Sequence, residues 1–167
     1  MKKSGKNIFK NSQIQKKFEE IYAQDNIFVL ATIKEGYPSM RCVDTFYDDG
    51  AFWIVGYSFT NKAKDIEINP QVSLSNGWNN FKGKAYNMGH PLDEKNKEIR
   101  EKLIEAFKNW YFLANNEVHK TMCYIKVELE HGFFHTEGKS YLIDFTEDTI
   151  EEKEFKPHID VDLVVKF

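Results

Sequence analysis

The chain has 167 residues and a net charge of −3 at neutral pH. That length suits a single domain burying roughly two-thirds of its unfolded surface, and the slight acidity excludes the basic face of a nucleic-acid binder. No apolar run approaches the roughly 18 residues of a membrane span and no segment resembles a signal peptide, so a cytoplasmic protein with no membrane partner is expected.

In chain order, residues 1–10 read as a loose leader carrying Lys2, Lys3, Lys6 and Lys10. Ser12 is a candidate N-cap for a helix on which Ile14, Phe18, Ile21 and Tyr22 recur at three- and four-residue spacing, ending near Asp25-Asn26. Ile27–Ile33 (IFVLATI), Ser39–Tyr47 and Ala51–Tyr57 (AFWIVGY) predict three strands of an antiparallel meander, the last two joined by a hairpin at Asp48-Asp49-Gly50. Residues 60–69 switch to helix formers and stop at Asn69-Pro70, which predicts a two-turn helix. Gln71–Ser75 and Lys82–Met88 predict two more strands, with Gly83 marking a bulge or a close backbone approach.

Pro91-Leu92-Asp93 opens a long helix with Ile99, Leu103, Phe107 and Tyr111 on one face, fraying at Asn115-Asn116. Thr121–Glu130 alternates as a strand that Gly132 is expected to break. Phe133-Phe134 and Tyr141–Phe145 form short strands around the Glu137-Gly138 turn. Residues 147–167 form a C-terminal extension whose apolar end, Val161–Phe167, either adds an edge strand or lies on the surface. The whole is one mainly β (α+β) domain: six antiparallel strands of this kind close into a barrel with flanking helices.

Fourteen phenylalanines, eight tyrosines and three tryptophans predict an aromatic core, some of whose rings line a flat ligand. Cys42 and Cys123 lack CxxC spacing and lie in apolar strand-like runs, so both are expected to be buried free thiols.

The junction at residues 57–62 carries the chemistry. A strand runs straight into a helix whose first turn is Thr60-Asn61-Lys62, where free N–H groups and the dipole attract an anion. A two-residue loop at Asp49-Gly50 would place Arg41 opposite Ser58, so that a guanidinium and an ammonium converge on a phosphate. The same hairpin presents Val43, Trp53 and Val55 as a wall for a flat heteroaromatic ring. His90, His119, His131, His135 and His158 show no metal-ligand spacing, and no nucleophile or nucleotide-loop motif is present. A redox cofactor that brings its own chemistry fits that lack of acids and nucleophiles.

These residues resemble a known superfamily. Gly36-Tyr37-Pro38-Ser39-Met40-Arg41-Cys42-Val43, Asp49–Ile54, Thr60-Asn61-Lys62 and Ile66–Leu74, with Gly83 beyond, resemble the pyridoxamine 5′-phosphate oxidase-like split β-barrels, and most of all their general stress protein branch. The resemblance implies a six-stranded antiparallel split β-barrel that forms a homodimer and holds FMN at the subunit interface. Arg41 and Lys62, helped by Thr60 and Asn61, would hold the phosphate. Cys42, Val43, Trp53, Ile54 and Val55 would border the ring, and Trp110 or Tyr111 would cover it from the partner subunit. The activity implied is flavin-dependent oxidation or reduction of a small substrate. The alternatives are a non-catalytic flavin carrier or stress sensor, or a barrel binding haem or a deazaflavin. The chain ends in Val164-Val165-Lys166-Phe167 without the arginine-rich motif of the vitamin-B6 oxidases, which counts against that substrate.

Overall fold

The computed structural model describes residues 7–154. The elements are β1 (Asn7–Ile8), α1 (Gln13–Tyr22), β2 (Asn26–Lys34), β3 (Tyr37–Asp48), β4 (Ala51–Tyr57), α2 (Asn61–Ile68), β5 (Gln71–Asn76), β6 (Asn79–Asn87), α3 (Lys97–Ala106), α4 (Tyr111–Ala114), β7 (Met122–Thr136), β8 (Lys139–Asp144) and β9 (Thr149–Glu154). The order β7-β4-β3-β2-β5-β6 closes on itself through a second pairing of β6 with β7, giving a six-stranded antiparallel barrel. β8, β9 and β1 continue the sheet from the far end of β7.

Local chemistry explains the turns. Asp49 and Gly50 both have positive φ (41° and 79°), as a two-residue hairpin loop needs, and Asp48 pairs with Ala51 across it. Ser12 caps α1 by accepting from the Gln15 amide at 3.0 Å. Gly83 answers to both readings of its role. The β6–β7 register shifts there, leaving Glu130 as the extra residue, and a Cβ on Gly83 would lie 2.0 Å from the Glu128 carbonyl oxygen.

Aromatic rings fill the barrel interior. Phe18 of α1 is fully buried and meets Phe9, Tyr22, Tyr47, Phe52, Phe81, Phe134 and Phe145 at centroid separations of 4.7–6.1 Å. A second cluster sits outside the barrel wall, where Ile99 and Leu103 of α3 pack with Phe107 and Tyr111 against Phe46, Trp53 and Tyr124.

Several local expectations are corrected. α1 ends at Tyr22, where the Ala23 N–H caps onto the Glu19 carbonyl. The leader joins the fold from Asn7, pairing with Ile150 of β9, and Phe9 is buried. The helix expected from Pro91 onward begins with a 3₁₀ turn at Glu94–Asn96 and breaks after Ala106, resuming at Tyr111. Gly132 does not end its strand: β7 runs through it, and a Cβ there would come within 2.5 Å of the Phe81 ring. Cys42 is exposed whereas Cys123 is buried, because the alternation along β3 turns Arg41 and Val43 inward and Cys42 outward. Lys2, Lys3, Lys6, His158 and Val161–Phe167 lie outside the described residues.

Candidate functional site

The expected β3–β4 register holds for three pairs only, from Asp48↔Ala51 to Phe46↔Trp53. Beyond them β3 pairs with β2, where Arg41 lies opposite Leu30, and β4 pairs with β7 along its whole length. The two strands therefore diverge, and Arg41 does not face Ser58. The ladder splits because barrel closure draws each strand to its other neighbour.

Arg41 instead reaches toward β2 and α2. Its Nη1 donates to the Thr32 hydroxyl at 2.6 Å, and its Nη2 donates to the Ser39 hydroxyl at 2.6 Å and to Asp65 Oδ2 at 3.4 Å. Asp65 stands one turn along α2 from Lys62 and is buried. These bonds leave the Arg41 Nε–H and part of its amino groups without an acceptor among the described residues.

Lys62 is half-buried, and its ammonium donates to no acceptor among the described residues. Its stem lies across Gly56 of β4, where a Cβ would sit 3.2 Å from Cε and 3.4 Å from Nζ. Burial pushes its pKa below the usual lysine range. The Arg41 charge adds to that shift, so the two cations lie within each other's field; only an ionised Cys123 would oppose it. Burial raises the Cys123 thiol to about 11, so it stays protonated and is no counter-ion. Two cations within each other's field, with unused donors and one carboxylate bonded to Arg41, can hold a phosphate.

The sign of the pH dependence follows. An anion needs Lys62 charged, and its folded pKa is lowered, so affinity is complete at low pH and is lost as pH rises through that lowered value. Phosphate affinity is expected to fall on the alkaline side below the roughly 10.4 of an ordinary lysine. Titration of inorganic phosphate across pH 7–10 checks this, and Lys62→Met should abolish the alkaline limb, since arginine does not titrate in that range.

The other expected contacts are dispersed. Thr60 caps α2 in extended conformation, but its hydroxyl donates to the Tyr57 carbonyl at 2.7 Å. Asn61 is exposed at the first turn of α2. Val43 and Ile54 belong to the barrel core, whereas Trp53 and Val55 face α3, so the four do not form one wall. Only Cys42 of that group is exposed. What the split does offer a flat ring is the main-chain edge of β3 beyond Phe46, which β4 leaves unpaired.

Trp110 and Tyr111 are held within their own chain. Trp110 stacks on Phe107 at 4.5 Å and donates to Asp25 at 2.7 Å. Tyr111 is fully buried, its hydroxyl 2.5 Å from that of Tyr124 and donating to Glu117 at 2.9 Å. Arg100 grips the same Glu117 carboxylate with two bonds of 2.7 Å, holding it below the usual carboxylate range. The aromatic of this segment that projects into solvent is Phe112, 61% exposed. Sequence reasoning missed Thr32, Ser39 and Asp65. For Thr32 and Ser39 the signal was strand alternation, which puts them and Arg41 on one barrel face; for Asp65, on α2, there was none.

Comparison with known proteins decides the family. The pyridoxamine 5′-phosphate oxidase family matches residues 14–136. The chain belongs to that family. No curated protein sequence matches it. Among solved structures, General Stress Protein 26 from Bacillus anthracis is 20% identical, with 73% of this chain and 93% of that one covered and a TM-score of 0.56. A pyridoxamine 5′-phosphate oxidase-related, FMN-binding protein from Nostoc punctiforme is 11% identical, covering 86% and 93%, with a TM-score of 0.52. HutZ, the heme storage protein from Vibrio cholerae, is 16% identical, covering 72% and 91%, with a TM-score of 0.57. At these identities the likeness shows the oxidase-family fold alone. No helix of the described residues is long and apolar enough to cross a membrane.

Proposed function

We propose that this oxidase-family chain is an FMN-binding flavoprotein that oxidises or reduces a small substrate in the cytoplasm. The observation carrying the reading is the pair Arg41 and Lys62, two cations within each other's field that keep unused donors. Gly56 supports the fit, because a Cβ there would crowd the lysine stem at 3.2 Å. In this reading Arg41 and Lys62 hold the terminal phosphate, with the first-turn N–H groups of α2 beside them. The unpaired β3 edge meets the polar rim of the ring. The flavin supplies hydride and electron transfer, and the protein binds, orients and shields it.

A homodimer belongs to the same proposal. Ile27, Val29 and Met40 lie on one outer face of β2 and β3 and are 63%, 37% and 70% exposed, an apolar surface suited to a second copy. Haem is the second reading. It draws on the Vibrio cholerae neighbour and on His119, whose ring meets Tyr57 and Phe59 just ahead of α2.

Purified protein separates the readings. Yellow material that releases FMN on heating, with a light-scattering mass of two chains, is the expected result. A Soret band in place of flavin absorption would move the assignment to haem. Colourless protein that binds no added FMN would end the proposal.

A further inference from the structure

We infer that Thr32 is a positioning residue for the anion site, and that its hydroxyl sets the preference for a phosphorylated flavin over the same flavin without phosphate. The inference rests on the FMN reading above.

Thr32 is 1% exposed on the inward face of β2, in line with Phe28 and Leu30. A hydroxyl there is unfavourable unless both its donor and its acceptor capacity are used. Both are. The oxygen accepts from Arg41 Nη1 at 2.6 Å and donates to Asp65 Oδ2 at 2.7 Å. It is thus the bridge between a guanidinium on β3 and a carboxylate on α2.

The direct contact between those charges is longer, at 3.4 Å, and uses only one Arg41 nitrogen. The hydroxyl therefore holds the fork in a pose in which Asp65 takes a minor share of its donors. Without the hydroxyl, Asp65 keeps Arg41 as its remaining partner and draws the fork onto itself, because a buried carboxylate needs compensation. The donors that would grip a phosphate then turn away. The ring-binding main-chain edge of β3 is untouched, so phosphate-independent affinity stays.

The test titrates the full chain with FMN and with riboflavin, which carries the same ring without phosphate. Wild type is expected to bind FMN at least about tenfold more tightly, the effect of one charge-assisted hydrogen bond. Thr32→Val, matched in volume, is expected to lose about tenfold for FMN with riboflavin unchanged. Thr32→Ser should restore the ratio. Asp65→Asn keeps the acceptor for Thr32 and removes the competing charge, so its ratio should equal or exceed that of wild type. Folded Thr32→Val with an unchanged ratio would overturn the inference, and so would a tenfold fall in Asp65→Asn, the decisive variant if valine prevents folding. Wild type that fails to discriminate the two ligands would instead overturn the phosphate site itself.

Discussion

Replacing Lys62 with methionine is expected to weaken FMN binding by about 10- to 150-fold, the range for loss of a charge-assisted bond of about 1.5–3 kcal/mol. The apo fold should be as stable as wild type or more so. Lys62 donates to no described acceptor and its pKa is lowered by burial, so folding opposes its charge and methionine removes that opposition while keeping the stem over Gly56. Arg41→Ala should weaken FMN by a similar factor but also destabilise the apo protein, because it strips Asp65 and Thr32 of a partner. Paired calorimetric titrations and urea melts of the two variants separate a ligand-binding cation from a structural one. Unchanged FMN affinity in the Arg41→Ala, Lys62→Ala double variant would remove the phosphate assignment. The two effects need not add, since both groups act on one anion.

Phe18→Ala is expected to cost about 3–5 kcal/mol, the usual loss for a buried phenylalanine. Few single changes in the chain should cost more, because one ring on α1 meets seven others. For a domain of this size the melting temperature should drop by about 6–20 °C. Phe112→Ala, at an exposed ring, should melt near wild type. A loss under about 1 kcal/mol for Phe18→Ala would mean that the interior repacks freely, contrary to close packing.

Much of the architecture was legible because periodicity reports local backbone. The strands of residues 26–57, the two-turn helix at 61–68, the Ser12 cap and Gly83 all follow from spacing and punctuation. The helix break at Phe107–Trp110 was not legible, since no glycine or proline marks it; it accompanies the stacking of Trp110 on Phe107 and its bond to Asp25, a residue 85 positions away. Gly132 read as a strand breaker because its sequence context cannot show that Phe81 occupies the missing side chain's place.

The candidate site was half legible. Arg41 is tied to Thr32 and Asp65 and not set by an extended β3–β4 ladder, and its charge reaches Lys62 as a field and not as a contact. Counting along a hairpin gives a register but not the point at which closure pulls the strands apart. Asp65 looked like an ordinary helix residue, because its burial against Thr32 and Arg41 is a tertiary fact. Trp110 and Tyr111 drew notice as aromatics, and the sequence could not show that Tyr111 is fully buried and bonded to Tyr124 and Glu117 of the same chain.

β7 ladders with β4, β6 and β8 in turn, so it bridges residue 51 to residue 128 and residue 80 to residue 133. During synthesis the first 120 or so residues emerge with β4 and β6 each lacking this neighbour, and no closed wall can form around the aromatic interior. Commitment to the native topology waits for the strand that joins both rims, which makes the nascent chain a late folder with sticky edges exposed to chaperones for several seconds at ordinary elongation rates of about 5–20 residues per second.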